Sequence, residues 1–99
     1  MVGCVGESFG EQLINTLKGY NVRTDYVEKI DAVSSGIAVI VVVDGDNRII
    51  LDSGANGLVN TDLIDHALED AKAGDYLICQ LEIELSMVEY ALKKGKEKV

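Results

Sequence analysis

The sequence contains no proline, although average usage of about 5% would place roughly five in a chain of this size. That absence suggests an ordinary loop-bearing protein whose loops are incompletely represented. Cysteine is scarce as well, with only Cys4 and Cys79. Two cysteines make no disulfide framework, and no metal-ligand spacing accompanies them. Both sit in apolar, strand-like runs, which predicts burial and a reducing, cytoplasmic setting. Basic residues are few, nine against seventeen acidic, for a net charge of −8. This excludes the basic patch expected of a nucleic-acid surface and leaves solubility as the reading of the acidity. Met1 is followed by no basic segment and apolar h-region, so no signal peptide is expected. No run approaches the ~18 apolar residues of a membrane helix. The single histidine, His66, shares a helical stretch with Leu63, Ala67 and Ala71 and has no acid or nucleophile partner in sequence. It reads as a surface residue.

What is present fits one domain. The 99 residues are 47% hydrophobic and 26% charged, enough for a modest core but small for an enzyme with two substrates. Val2 to Val5 is a short apolar strand bracketed by glycines. Ser8-Phe9-Gly10-Glu11 has the form of a capping box, and Phe9, Leu13, Ile14 and Leu17 follow at helical spacing. Gly19 is the expected left-handed stop of that helix. Asp25 to Ile30 reads as a second strand.

Ile37 to Val43 is the strongest strand signal. Asp44-Gly45-Asp46-Asn47 supplies turn residues that accept positive φ, and Arg48 to Leu51 returns as the hairpin partner. Seven consecutive apolar residues predict a strand covered on both faces. Asn60 is a good N-cap, with Asp62 and Asp65 near the positive end of a helix whose apolar face is Leu63, Ile64, Ala67, Leu68 and Ala71. Gly74 ends it, and Tyr76 to Leu81 is the next predicted strand. A third helix is expected from about Glu84 to Lys94, buried through Val88, Ala91 and Leu92, with Gly95 opening a turn into a further strand.

The order β-α-β, hairpin, α-β-α points to a layered α/β sheet with few strands and exposed edges. The expected chain is a single partial domain over residues 1–99, with the hairpin at about 36–51.

Four segments carry a resemblance to a known family: Val5-Gly6-Glu7-Ser8-Phe9-Gly10, Ser35-Gly36-Ile37-Ala38, Ser53-Gly54-Ala55-Asn56 and Gln80-Leu81-Glu82. In this order and spacing they resemble the middle of a ribokinase/PfkB-type carbohydrate kinase. The first segment is one acidic residue short of the family's turn. The resemblance implies a partial ribokinase-like layered α/β sheet in which the hairpin is a β-lid that closes over a sugar and packs against a partner's lid. By position it places Ala38 and Ile40 on the sugar's apolar side. It makes Glu82, at a strand's carboxyl end, an acceptor for a sugar hydroxyl. Carboxylates accept strongly from hydroxyls, and ligands of open α/β sheets bind beyond the strands' carboxyl ends. Asn56 is expected to orient the loop after the lid.

The family's upstream Gly-Gly-Lys-Gly-Ala-Asn type motif and downstream Gly-Ala-Gly-Asp type turn have no counterpart here, and no Walker-type loop occurs. That downstream turn supplies the base and an anion hole at a helix N-terminus. The resemblance thus implies an internal or truncated piece of an enzyme that uses ATP, Mg²⁺ and a monovalent cation to phosphorylate ribose or a related sugar. None of those cofactors is expected to bind well to these residues alone. The 99-residue chain is expected to be inactive, because phosphoryl transfer is mostly positioning and charge stabilisation. The alternatives are a non-catalytic module that dimerises through the hairpin, and a kinase of the same family acting on another sugar or a nucleoside. No nucleic-acid or membrane partner is expected.

Overall fold

A computed structural model describes residues 1–99. Strand β1 (Val2–Val5) pairs in parallel with β2 (Tyr26–Lys29), from Val2 opposite Tyr26 to Val5 opposite Lys29. Helix α1 (Gly10–Gly19) makes the crossover between them. No other strand joins this sheet.

The capping box does not form. Phe9 occupies the N-cap position in the left-handed conformation (φ 61°), and no side chain caps the helix. Ser8 is instead held in a bridge to Ser34, which removes it from the cap. The stop is also displaced. Asn21, at φ 59°, takes the left-handed position expected of Gly19. The Val22 amide donates to the Leu17 carbonyl and the Asn21 amide to that of Lys18, a Schellman closure. Of the expected apolar face, Phe9 and Leu13 are exposed and Ile14 and Leu17 are half-buried.

Strand β3 (Ile37–Val43) and β4 (Asp46–Asp52) form a separate antiparallel hairpin. Its turn is two residues long, not four. Asp44 (φ 51°) and Gly45 (φ 77°) make the type I′ geometry that matches strand twist, and Asp46 and Asn47 belong to β4. The expectation that both faces of β3 are covered fails. All seven of its residues are exposed, because β4 is the one element packed substantially against it. The hairpin therefore projects, and the molecule measures 48 × 26 × 26 Å.

A short 3₁₀ turn (Gly54–Leu58) leads to helix α2 (Thr61–Leu68), capped by Asn60, whose Oδ1 accepts from the Leu63 amide at 2.9 Å. Tyr76–Leu81 is not a strand. It has no ladder partner, and Cys79, expected to be buried, is exposed there. Helix α3 (Leu85–Lys98) runs four residues past its expected end. Gly95 is inside the helix, where the end of the Leu77 side chain occupies the place a β-carbon would take. Leu92, expected on the buried side, is half exposed.

The core is small: Cys4, Ala55, Val59, Ile64, Leu68 and Ala91 form one cluster between β1, the 3₁₀ turn, α2 and α3. Burial pushes the Cys4 thiol above its ordinary pKa, with the Glu28 carboxylate adding to the effect. The Tyr90 hydroxyl donates to both carboxylate oxygens of Asp65 (2.9 and 3.0 Å), tying α3 to α2. No helix is long and apolar enough to cross a membrane.

Candidate functional site

Three of the four motif segments meet beyond the carboxyl end of β1. The Gly6 amide, first past the strand, donates to Ser35 Oγ at 2.9 Å. The Ser35 hydroxyl in turn donates to the Ser8 carbonyl at 2.5 Å. The Ala55 amide donates to the Ser34 carbonyl at 2.8 Å, and the Glu7 amide to that of Val33. These bonds fasten both ends of the hairpin to the end of the sheet. Ser35 is the polar residue at the centre, only 2% exposed with its hydroxyl fully used.

Close approach dictates the glycines. A β-carbon on Gly6 would run into the backbone of Val33 to Ser35. Gly54 combines φ +48° with contact to the Ser34 and Ser35 carbonyls. Asn56 is half-buried, and its amide lies over the α-carbon of Gly36. That packing is consistent with the loop-orienting role expected of it.

The register divides the hairpin into two unlike faces. Alternation puts Ala38, Ile40 and Val42 on one face with their partners Leu51, Ile49 and Asn47. That face bears no charge. The other carries Ile37, Val39, Val41 and Val43 with Asp52, Ile50, Arg48 and Asp46. Ala38 and Ile40 thus share the uncharged face, and Ile40 is 57% exposed.

Glu82 is exposed, and the expected strand end is absent beneath it. It stands instead in a bend before α3, where its amide donates to Gln80 Oε1. The structure places Ala38 and Ile40 together on one face of β3, whereas Glu82 lies outside the helices and strands, ahead of α3. A cleft of about 640 Å³ is lined by Gln80 and Ile83 but not by Glu82, Ala38 or Ile40. His66 is exposed as expected, 4.0 Å from Glu69. It borders a second cleft with Asp25, Glu28 and Asp62, whose negative charge disfavours a phosphate. No cluster of His, Cys, Asp or Glu is placed to hold a metal ion.

Ser35 is the site residue that composition and periodicity miss as a buried tie. Ser-Ser-Gly ahead of an apolar run marks a strand entrance, but nothing local says that the second serine will receive an amide from Gly6.

Residues 1–93 match the sequence pattern of the pfkB family carbohydrate kinases. The chain belongs to that family. It is 43% identical over 95 residues to the ribokinase of Schizosaccharomyces pombe, a match covering 94% of this chain and 30% of that protein. It is 36% identical over 99 residues to the deoxyribokinase of Salmonella typhi, covering 98% and 32%. Among solved structures, ribokinase from Cryptococcus neoformans in complex with ADP superposes with a TM-score of 0.72 at 27% identity, covering 94% of this chain and 28% of that one. The pfkB chain described here therefore spans about a third of the length of the curated relatives it matches. Its α/β architecture is a partial ribokinase-like fold, and the hairpin and its Ser35 tie sit within the matched region.

Proposed function

We propose that this chain supplies the lid and part of the sugar site of an ATP-dependent kinase that phosphorylates a hydroxyl of ribose or a related sugar. The observation that carries this reading is the two-faced hairpin, rooted by Ser35 beyond the carboxyl end of β1. That is where open α/β sheets bind their ligands. Ala38 and Ile40, on the uncharged face, would cover the apolar side of the sugar. Glu82, exposed ahead of α3, would accept from a sugar hydroxyl once the lid is closed over it.

The similarity to ribokinase from S. pombe favours ribose, and that to the S. typhi deoxyribokinase keeps its 2-deoxy analogue as the competing substrate. A nucleoside triphosphate with Mg²⁺ would supply the phosphoryl group, and a monovalent cation would assist. No residue of this chain is assigned to hold them. These 99 residues by themselves are proposed to be inactive. Both cysteines are free, which suits a reducing cytoplasm.

The test is an S. pombe ribokinase in which this chain replaces the matching 95 residues, assayed for ADP release. Ribose should stimulate ADP release, and Glu82→Ala should lower kcat/KM for the sugar at least tenfold, about 1.4 kcal/mol. A chimera that folds but gives ribose no advantage over 2-deoxyribose or no sugar would overturn the ribose assignment. Turnover by the isolated chain, lost on Glu82→Ala, would overturn its inactivity.

A second reading has its own support. The face carrying Val39, Val41 and Ile50 is as exposed as the first, so the hairpin is also proposed to pair with that of another copy.

A further inference from the structure

Of the ten glycines, two follow an aspartate or asparagine: Gly45 after Asp44 and Gly57 after Asn56. Such a pair can close on itself, because the glycine amide nitrogen stands next to the side-chain carbonyl carbon of the residue before it. Attack there forms a five-membered succinimide, and glycine, with no side chain and a freely rotating backbone, obstructs it least. In a folded chain the ring needs a glycine amide without another partner, a side chain free to turn onto it, and open space.

Asp44-Gly45 meets all three conditions. Both residues are exposed at the tip of the β3–β4 hairpin, beyond its last rung, Val43 opposite Asp46. The Gly45 amide donates to no backbone carbonyl. The neighbouring carboxylates of Asp46 and Asp52 are engaged by the Asn47 and Gly54 amides, whereas that of Asp44 has no partner and joins no ion pair. A β-carbon on Gly45 would meet nothing within 4 Å. Asn56-Gly57 is placed differently. Both residues are half-buried in the 3₁₀ turn, which commits the Gly57 amide to the carbonyl three residues back, and the Asn56 carboxamide is packed against Gly36.

We infer that Asp44-Gly45 is a self-modification site, where the hairpin tip converts an aspartate into isoaspartate, and that the fold shields Asn56-Gly57 from the matching reaction. The Gly45 nitrogen bonds to Asp44 Cγ as a Cγ–O bond breaks, and the carboxyl oxygen leaves as water with the carboxyl and amide protons. Water then adds at the Asp44 main-chain carbonyl carbon and breaks its bond to the Gly45 nitrogen. One water leaves and one enters, and nothing is oxidised or reduced. The main chain now runs through the former side chain and is one carbon longer. A two-residue type I′ turn requires its own spacing and positive φ at both central residues, here 51° and 77°, which the lengthened backbone does not keep. The end of the ladder therefore loosens. The fold also reverses the order that chemistry alone sets. In an unfolded chain Asn56 reacts first, since a neutral carboxamide is a better electrophile than a carboxylate. The inference rests on the hairpin's geometry and not on the choice of sugar.

The experiment holds the purified full chain for several weeks at neutral pH, in buffer and in guanidinium chloride. Isoaspartate is then located by mass spectrometry in the tryptic peptides 30–48 and 49–72, which separate the two pairs. In buffer, conversion at Asp44 should exceed that at Asn56 at least tenfold, and in guanidinium Asn56 should react first. Labelled methyl transfer from S-adenosylmethionine by an isoaspartyl methyltransferase should rise with time in the wild type. It should fall at least tenfold in Asp44→Gly, which keeps a residue suited to positive φ in the turn. Amides at the end of the β3–β4 ladder should exchange at least tenfold faster in the isomerised fraction. Conversion of Asn56 ahead of Asp44 in buffer overturns the inference, as does methyl transfer that survives Asp44→Gly. Unchanged exchange in the isomerised fraction overturns the loosening of the turn. Kinase activity enters none of these readouts, so this inference and the ribose assignment fail separately.

Discussion

Ser35 shows how much one side chain can hold. Its hydroxyl accepts from Gly6 and donates to Ser8, joining the end of β1 to the root of the hairpin across 29 residues of sequence. Replacing it by alanine leaves the Gly6 amide and the Ser8 carbonyl without their partner in a buried place, which costs about 1–3 kcal/mol. Ser35→Ala should lower the urea midpoint accordingly, whereas Ser53→Ala, at an exposed position, should stay within about 0.5 kcal/mol. Equal effects in the two variants would show that the tie is not what roots the hairpin. The family resemblance marks Ser35-Gly36 as the opening of the hairpin. It does not show the burial of Ser35, which depends on a chain segment that local pattern cannot bring near. His66 and Asn60 were legible because surface exposure and N-capping are decided within one helical turn.

Among the elements, the existence of those settled by local chemistry was legible, though α2 ends at Leu68 and not at Gly74, and the hairpin turn is two residues and not four. β1, the hairpin and α2 follow from glycine brackets, a β-branched run with an Asp-Gly turn, and an Asn cap. Other misreadings arise where tertiary contact outweighs local preference. Ser8 is drawn from its cap into a bridge with Ser34, and Gly95 stays helical with Leu77 packed against it. Tyr76–Leu81 has a strand's apolar composition without the neighbour that would make it one. How α2 and α3 are joined can be tested by pH. The Asp65 carboxylate accepting from the Tyr90 hydroxyl raises the tyrosine's pKa above its ordinary value of 10.0, with desolvation adding to the shift. The neutral phenol is thus favoured in the fold. Its stabilisation is complete below the unfolded-state pKa and is lost as pH rises through the higher folded-state value, where a tyrosinate would face a carboxylate. The stability difference between wild type and Tyr90→Phe, from thermal melts, should hold steady from pH 7 to 9 and shrink above about pH 10. A difference independent of pH would mean that the phenol contributes by packing alone.

For the whole molecule, the balance of buried and open surface sets the expected behaviour. Only twelve of the 99 residues are buried, while β3 and β4 leave Val39, Ile40, Val41, Val42, Ile49, Ile50 and Leu51 more than 45% exposed. Contiguous apolar surface of this kind on a projecting hairpin drives association. The two faces are not equivalent. The uncharged one bears Ala38 and Ile40 and is assigned to the sugar, which leaves Val39, Val41 and Ile50 for a second copy. On that second face Asp46, Arg48 and Asp52 alternate in sign along β4, so two copies related by a two-fold axis can set unlike charges together. Sedimentation at micromolar concentration should therefore give a dimer. Val39→Lys, opposite the neutral Ile50, should shift it to monomer while the hairpin amides keep their exchange protection. Ile40→Lys, on the other face, should leave the dimer in place. A wild-type monomer would remove the association reading. Dissociation by Ile40→Lys alone would exchange the roles of the two faces and detach Ala38 and Ile40 from the sugar.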